Sequence, residues 1–102
     1  MKKFKRIMKV RFLYPAFLEY NSAIDYYNTQ QIGLGEKFIK EIAQYLEIIK
    51  KYPQSFAIYT ENTRKAVLST FPYNIIYSIQ EDEVVIFAVA HQHRFPNYWF
   101  SR

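Results

Sequence analysis

The chain has no cysteine, and that removes disulfide frameworks, thiolate zinc clusters and cysteine nucleophiles together. It has two glycines, Gly33 and Gly35. Neither a phosphate-cradling P-loop nor a dinucleotide fingerprint can be written with so few, because both use several glycines to bring backbone N–H groups close to phosphate. No cofactor is expected. Long hydrophobic runs are missing too: the longest, Val84 to Ala90, has seven residues, against roughly 18 for a bilayer-spanning helix. The opening Met1-Lys2-Lys3-Phe4-Lys5-Arg6 has the charge of a signal peptide, but Lys9 and Arg11 interrupt the apolar stretch such a peptide needs. A cytoplasmic protein with no membrane partner is expected. Acidic residues are the scarcer sign, nine against fourteen Lys and Arg, and the resulting +5 favours an acidic or polyanionic partner.

What the chain does have is apolar and aromatic bulk. Half of its 102 residues are hydrophobic, with ten tyrosines, nine phenylalanines and one tryptophan, enough for one compact core and the opposite of a disordered composition. We read residues 1–102 as a single domain. Val10 to Tyr14 reads as a strand that stops where Pro15 begins a helix. Phe17, Tyr20, Ile24 and Tyr27 recur at helical spacing up to about Gln30. Gly33-Leu34-Gly35 breaks the pattern. Phe38, Ile42, Tyr45 or Leu46, and Ile49 resume it until Lys50, Lys51 and Pro53 end a second helix, antiparallel to the first.

Residues 54–63 show no period and read as a loop, with Thr60, Asn62 and Thr63 as turn formers. Lys65 to Ser69, Tyr73 to Ile79 and Val84 to His91 are rich in β-branched and aromatic residues and read as a three-strand meander. A short tail, Pro96 to Arg102, follows, with a final helical turn around Tyr98 and Trp99. The order β-α-α-β-β-β predicts an α+β fold: a helical hairpin packed on a mostly antiparallel four-stranded sheet. Since the hairpin covers one face while Val84 to Ala90 is apolar on both, some apolar surface is expected to be left for a partner.

Counting back from the turn at Asp82, Ile79 opposes Val84 and Tyr73 opposes Ala90, and across the earlier turn Ser69 opposes Tyr73. One sheet end then gathers Ser69, Tyr73, Asn74, His91 and His93. The two histidines sit at a strand spacing that suits a metal pair. No third ligand is available: Glu81 to Glu83 lie at the other end of the strand, about 26 Å away at ~3.3 Å per residue. No metal is expected. RNA cleavage would use a base, an acid and cations for the phosphate. Arg94, His93, Tyr98 and Lys65 are the candidate catalytic residues for that chemistry. Arg64, Lys65, Asn74, His91, Arg94, Trp99 and Arg102 are the candidates for binding a partner or nucleic acid.

Tyr26-Tyr27, Gly33-Leu34-Gly35, Phe71-Pro72-Tyr73-Asn74-Ile75-Ile76-Tyr77 and above all His91-x-x-Arg94-x-Pro96-x-Tyr98-Trp99-x-x-Arg102 resemble the RelE/ParE toxins of type II toxin-antitoxin and plasmid-stabilisation modules, from about Val10 to Arg102. The resemblance implies a bacterial toxin that inhibits growth and is neutralised by a cognate antitoxin. One branch comprises ribosome-dependent mRNA endoribonucleases, metal-independent enzymes. Lys65 matches a strand lysine of that branch, Arg94 its arginine ending the last strand, and Tyr98 its tyrosine, at a shorter spacing. Asn74 stands where those nucleases carry arginine, and Val67 replaces a second lysine. The other branch comprises inhibitors of DNA gyrase that act by binding, and Phe-Pro-Tyr and Tyr-Trp-x-x-Arg look closer to it. The resemblance therefore implies gyrase as the target, with ribosome-bound mRNA as the alternative.

Overall fold

The computed structural model describes residues 8–102, so the basic opening of the chain lies outside the described residues. Strand β1 (Lys9–Phe12) leads into helix α1 (Tyr14–Gln30), and Pro15 occupies its first turn, where a missing N–H costs nothing and the fixed φ suits a helix. Gly33, at φ 85°, turns the chain into α2 (Leu34–Lys51), a backbone conformation glycine adopts without strain. Gly35 lies against Asn28 so closely that an added Cβ would stand 2.5 Å from its Oδ1. The Gly35 N–H donates to that oxygen at 2.9 Å, which pins the two helices at their junction.

The sheet has five strands, not the expected four. Residues 57–60 form β2 (Ala57–Thr60), paired antiparallel with β3 (Thr63–Val67). Thr60 and Thr63, taken from the sequence as turn formers, flank the hairpin turn and share a hydroxyl–hydroxyl bond of 2.6 Å. This strand is short, irregular and exposed at the sheet edge, so it has no buried face to impose a period-two pattern. Strands β4 (Tyr73–Gln80) and β5 (Glu83–His91) complete the meander, and β1 lies parallel to β5, giving the order β1-β5-β4-β3-β2.

Ile79 does oppose Val84, but further along the pairing slips. A bulge between Ile76 and Tyr77 of β4, where Ile76 meets Ala88 and Tyr77 meets Ile86, leaves Phe87 as an extra residue. Tyr73 is therefore opposite His91, not Ala90. Across the earlier turn it is Leu68, not Ser69, whose N–H reaches the Tyr73 carbonyl. The bulge also resets the sides of β5: Val84, Ile86 and Val89 join the core under the helices, while Ala88 and Ala90 face the other way.

The main core lies between the helices and the sheet. Ala16 and Ala23 of α1 and Phe38, Ile42 and Ile49 of α2 are buried against Ile75, Tyr77, Val84, Ile86 and Val89. Phe17 is about half exposed, so the buried stripe of α1 runs through the two alanines with Tyr20, Ile24 and Tyr27 beside them. Tyr27, Phe38, Phe71 and Tyr73 form an aromatic box with ring separations of 4.8–6.1 Å. The apolar surface expected to await a partner is partly covered by the chain itself. Trp99 is buried on Ile76, Ala88 and Ala90, with Tyr59, Phe87 and Tyr98 around it. Among the described residues no helix is long and apolar enough to cross a membrane.

Candidate binding groove

The segment after β5 turns back over the sheet through Arg94 N–H to His91 O, Phe100 N–H to Asn97 O and Arg102 N–H to Trp99 O. The last two are successive turns where the sequence predicts one helical turn. With Trp99 as anchor, the segment walls a groove of about 200 Å³ on the face of the sheet away from the helices. Lys65, Asn74, His91, Arg94, Tyr98 and Trp99, six of the residues expected to act together, line it. They converge because alternate residues of a strand share a face: Lys65 lies opposite Ile76, and Asn74 opposite Ala90.

Other candidates are placed elsewhere. Arg64 donates to the carbonyls of Phe56 (2.7 Å) and Gln54 (3.1 Å), holding the chain that follows α2. Ser69 is bonded to the Tyr45 hydroxyl at 2.6 Å, on the helical side. His93 does not line the groove. Its ring lies 5.2 Å from that of His91, and its N–H donates to His91 Nδ1. Among the described residues no group of three or more His, Cys, Asp or Glu could hold a metal ion.

Arg102 is an internal clamp. Its guanidinium grips Glu19 of α1 with both nitrogens at 2.9 Å and also reaches the Phe87 carbonyl at 3.0 Å. The Tyr98 hydroxyl donates to the same carboxylate, and Glu19 Oε1 also accepts the Val89 N–H at 3.0 Å. One largely buried carboxylate thus ties α1, β5 and the closing segment together. The sequence reading missed Glu19; the signal available was an acid on α1 next to Tyr20 of the core-facing stripe. The Arg94 guanidinium lies 3.9 Å over the Tyr98 ring, so the clamp also sets where Arg94 stands. Arg94 and His91 border a second, more apolar groove of about 400 Å³ between α1 and the end of β5, lined also by Leu18, Ser22, Tyr26 and Tyr73.

These contacts fix the chemistry of Tyr98. Burial pushes its pKa well above that of a free tyrosine, and the bond to Glu19 adds to the shift, while Arg102 and Arg94 pull the other way. The phenol donates its proton to Glu19 and keeps it well beyond the range of a free tyrosine. Arg102 holds its own proton more firmly than a free arginine, chiefly through its hydrogen bonds to Glu19.

Burial raises other tyrosines as well. Tyr77 donates to the Pro53 carbonyl at 2.6 Å and is pushed up to about 12 by burial, against the opposing charge of Arg64. Tyr20, Tyr27 and Tyr73 shift the same way, first through burial. Unfolded tyrosines titrate near 10, so the folded chain keeps these protons longer. The stability this provides is complete below pH ~10 and is lost as pH rises through the folded values. Urea midpoints are expected to drop between pH ~10 and ~12, with a shallower drop in Tyr77→Phe; equal slopes for the two chains would contradict this.

The profile described as "ParE toxin of type II toxin-antitoxin system, parDE" matches residues 10–95. Among solved structures, the chain is similar to one titled "Chromosomal ParDE TA system from P. aeruginosa". The two are 13% identical with a TM-score of 0.72, over 83% of this chain and 96% of that one. That likeness is one of fold. No curated protein matches the chain in sequence.

Proposed function

Because the chain belongs to the ParE toxin family of type II toxin-antitoxin systems, we propose that it is the growth-inhibiting toxin of such a pair. In this reading it acts in the cytoplasm by binding DNA gyrase, and a cognate antitoxin neutralises it. The observation that supports binding over cleavage is the commitment of the Tyr98 hydroxyl to Glu19, with its pKa raised by burial. A ribonuclease of the alternative kind needs a base and an acid facing one phosphate. In the groove Tyr98 is spoken for, while Arg102, locked in the clamp, and His93 both stand outside it. What the groove does offer is cations and rings, the equipment of a gripping surface. The +5 charge suits an acidic antitoxin.

The test is a supercoiling assay with purified chain, in parallel with mapping of ribosome-bound transcripts, each with and without the product of the neighbouring reading frame. The expected result is inhibited supercoiling, relieved by the antitoxin, with transcripts intact. Transcript cleavage that disappears in Arg94→Ala or His93→Ala would replace this reading with the nuclease one.

A further inference from the structure

We propose that a second cavity, at the other end of the sheet from the groove that Trp99 walls, is a binding site for a neutral, polyhydroxylated small molecule of the chemical class of a sugar. It holds about 500 Å³ between the β2–β3 turn and the far half of β4. Lys65 lies opposite the outward-facing Ile76, so Thr63 and Ser78, each two residues along its strand, face outward as well. Both line the cavity, and both are buried, at 5% and 6% exposure. Glu61, Asn62 and Gln80 stand exposed at its rim.

Ser78 is the residue that points to a ligand. Buried as it is, it makes no hydrogen bond among the described residues. Every sealed side-chain polar atom among those residues has a partner, so the free Ser78 hydroxyl opens onto the cavity it lines, where a ligand atom can complete it. Thr63 is bonded to Thr60 and has capacity for a second bond. Glu61, Asn62 and Gln80 have no side-chain partner among the described residues. Hydroxyls and amides both give and take hydrogen bonds, as the hydroxyls of a sugar do, and a carboxylate takes them.

Charge excludes the other classes. Arg64, the one cation bordering the cavity, spends its guanidinium on the carbonyls of Phe56 and Gln54, so an anion finds no counter-charge. An organic cation would meet a single carboxylate, Glu61, exposed to water, and would leave the amide N–H donors without acceptors. Phe87 supplies an apolar wall. It is the residue the bulge adds to β5, half-buried, with its ring edge-on to Trp99 at 6.1 Å, and its face suits the C–H face of a sugar ring. The volume falls within the roughly 300–1,000 Å³ of small-molecule sites.

The test is titration of the full ¹⁵N-labelled chain with the methyl glycosides of glucose, mannose and galactose, followed through amide chemical shifts, with putrescine and glutamate as charged probes. Saturable shifts centred on residues 61–64, 77–80 and 87 are expected with at least one glycoside, and none with the charged probes. Ser78→Ala and Gln80→Ala are each expected to weaken binding roughly fivefold, the worth of one neutral hydrogen bond. Asn74→Ala, in the groove at the other end of the sheet, is the control and is expected to bind as the parent does. Ser78→Ala removes a hydroxyl that bonds to no described residue, so it leaves no group stranded, and the amide spectrum of each variant shows that it is folded. Preference among the glycosides tells which ring stereochemistry is read, and any preference supports the site. The proposal is overturned by absent saturable shifts with all three glycosides, by a Ser78→Ala chain that binds as the parent does, by equal weakening in Asn74→Ala, or by a charged probe that displaces the glycoside. The supercoiling assay is read separately, so the two readings can fall independently.

Discussion

Replacing Glu19 by alanine is expected to destabilise the chain by about 3 kcal/mol, the lower end of what removing one member of a buried ion pair costs. The Glu19 and Arg102 side chains are 16% and 15% exposed, so the pair is largely shielded from water. One substitution strands three groups at once: the Arg102 guanidinium, the Tyr98 hydroxyl and the Val89 N–H. Because Arg102 can swing into solvent, the loss stays below the sum of three buried orphans. Trp99 reports the event. It is buried against the sheet in the segment the clamp holds, so its emission is expected to shift to the red in Glu19→Ala, at urea concentrations where circular dichroism is still native. Arg102→Ala is expected to cost less, since Tyr98 and Val89 keep their acceptor. In a double-mutant cycle the two changes are expected to be strongly non-additive. Additive effects with unchanged tryptophan emission would mean that the clamp does not hold the segment.

Glu41→Ala is expected to have an effect of similar size for a different reason. This carboxylate is 8% exposed on α2. It accepts the N–H groups of Ser69, Thr70 and Phe71 at 3.0, 2.9 and 3.2 Å. The turn from β3 to β4 is thus wrapped around a charge supplied from within the chain. Each hydrogen bond to a charged group contributes on the order of 1.5–3 kcal/mol. Ser69 and Thr70 are exposed and recover water once the side chain is gone, which brings the expected loss to roughly 3 kcal/mol, or a fall in Tm of at least ~12 °C for a domain of this size. Glu41→Gln keeps one acceptor oxygen and is expected to lose about half as much. Thermal melts of the three chains measure the series; an alanine variant that melts with the parent would show that the turn supports itself.

The regular elements were legible because their residues follow a period. The stripe Phe38, Ile42, Ile49 announces α2 and is the stripe it buries, and the β-branched runs around Ile75 and Val84 announce the central strands. What escaped is structure that has no period. Strand β2 is exposed on the sheet edge and irregular in its pairing. The extra residue at Phe87 is invisible in an unbroken apolar run, yet it alone moves His91 opposite Tyr73 and turns Ala88 and Ala90 to the outer face. For the groove, the closing motif pointed to the right segment, and Lys65, Asn74, His91, Arg94, Tyr98 and Trp99 do meet. The two carboxylates that organise the molecule, Glu19 and Glu41, left little mark in the sequence, Glu19 no more than its place beside Tyr20. An acid whose partners lie 28 to 83 residues away looks the same as one facing water.

The pairing of β1 with β5 stops at Ile86, so the second half of β5, still paired with β4 on one side, runs on with no strand on its β1 side among the described residues. A bare stretch of that kind is where foreign chains add themselves to a sheet. Here two side chains stand in for the missing neighbour, Arg102 occupying the Phe87 carbonyl and Glu19 the Val89 amide. The clamp therefore doubles as a guard: a chain that loses it exposes an unfinished ladder, and clumping at high concentration becomes the visible sign of a lesion that begins with one carboxylate.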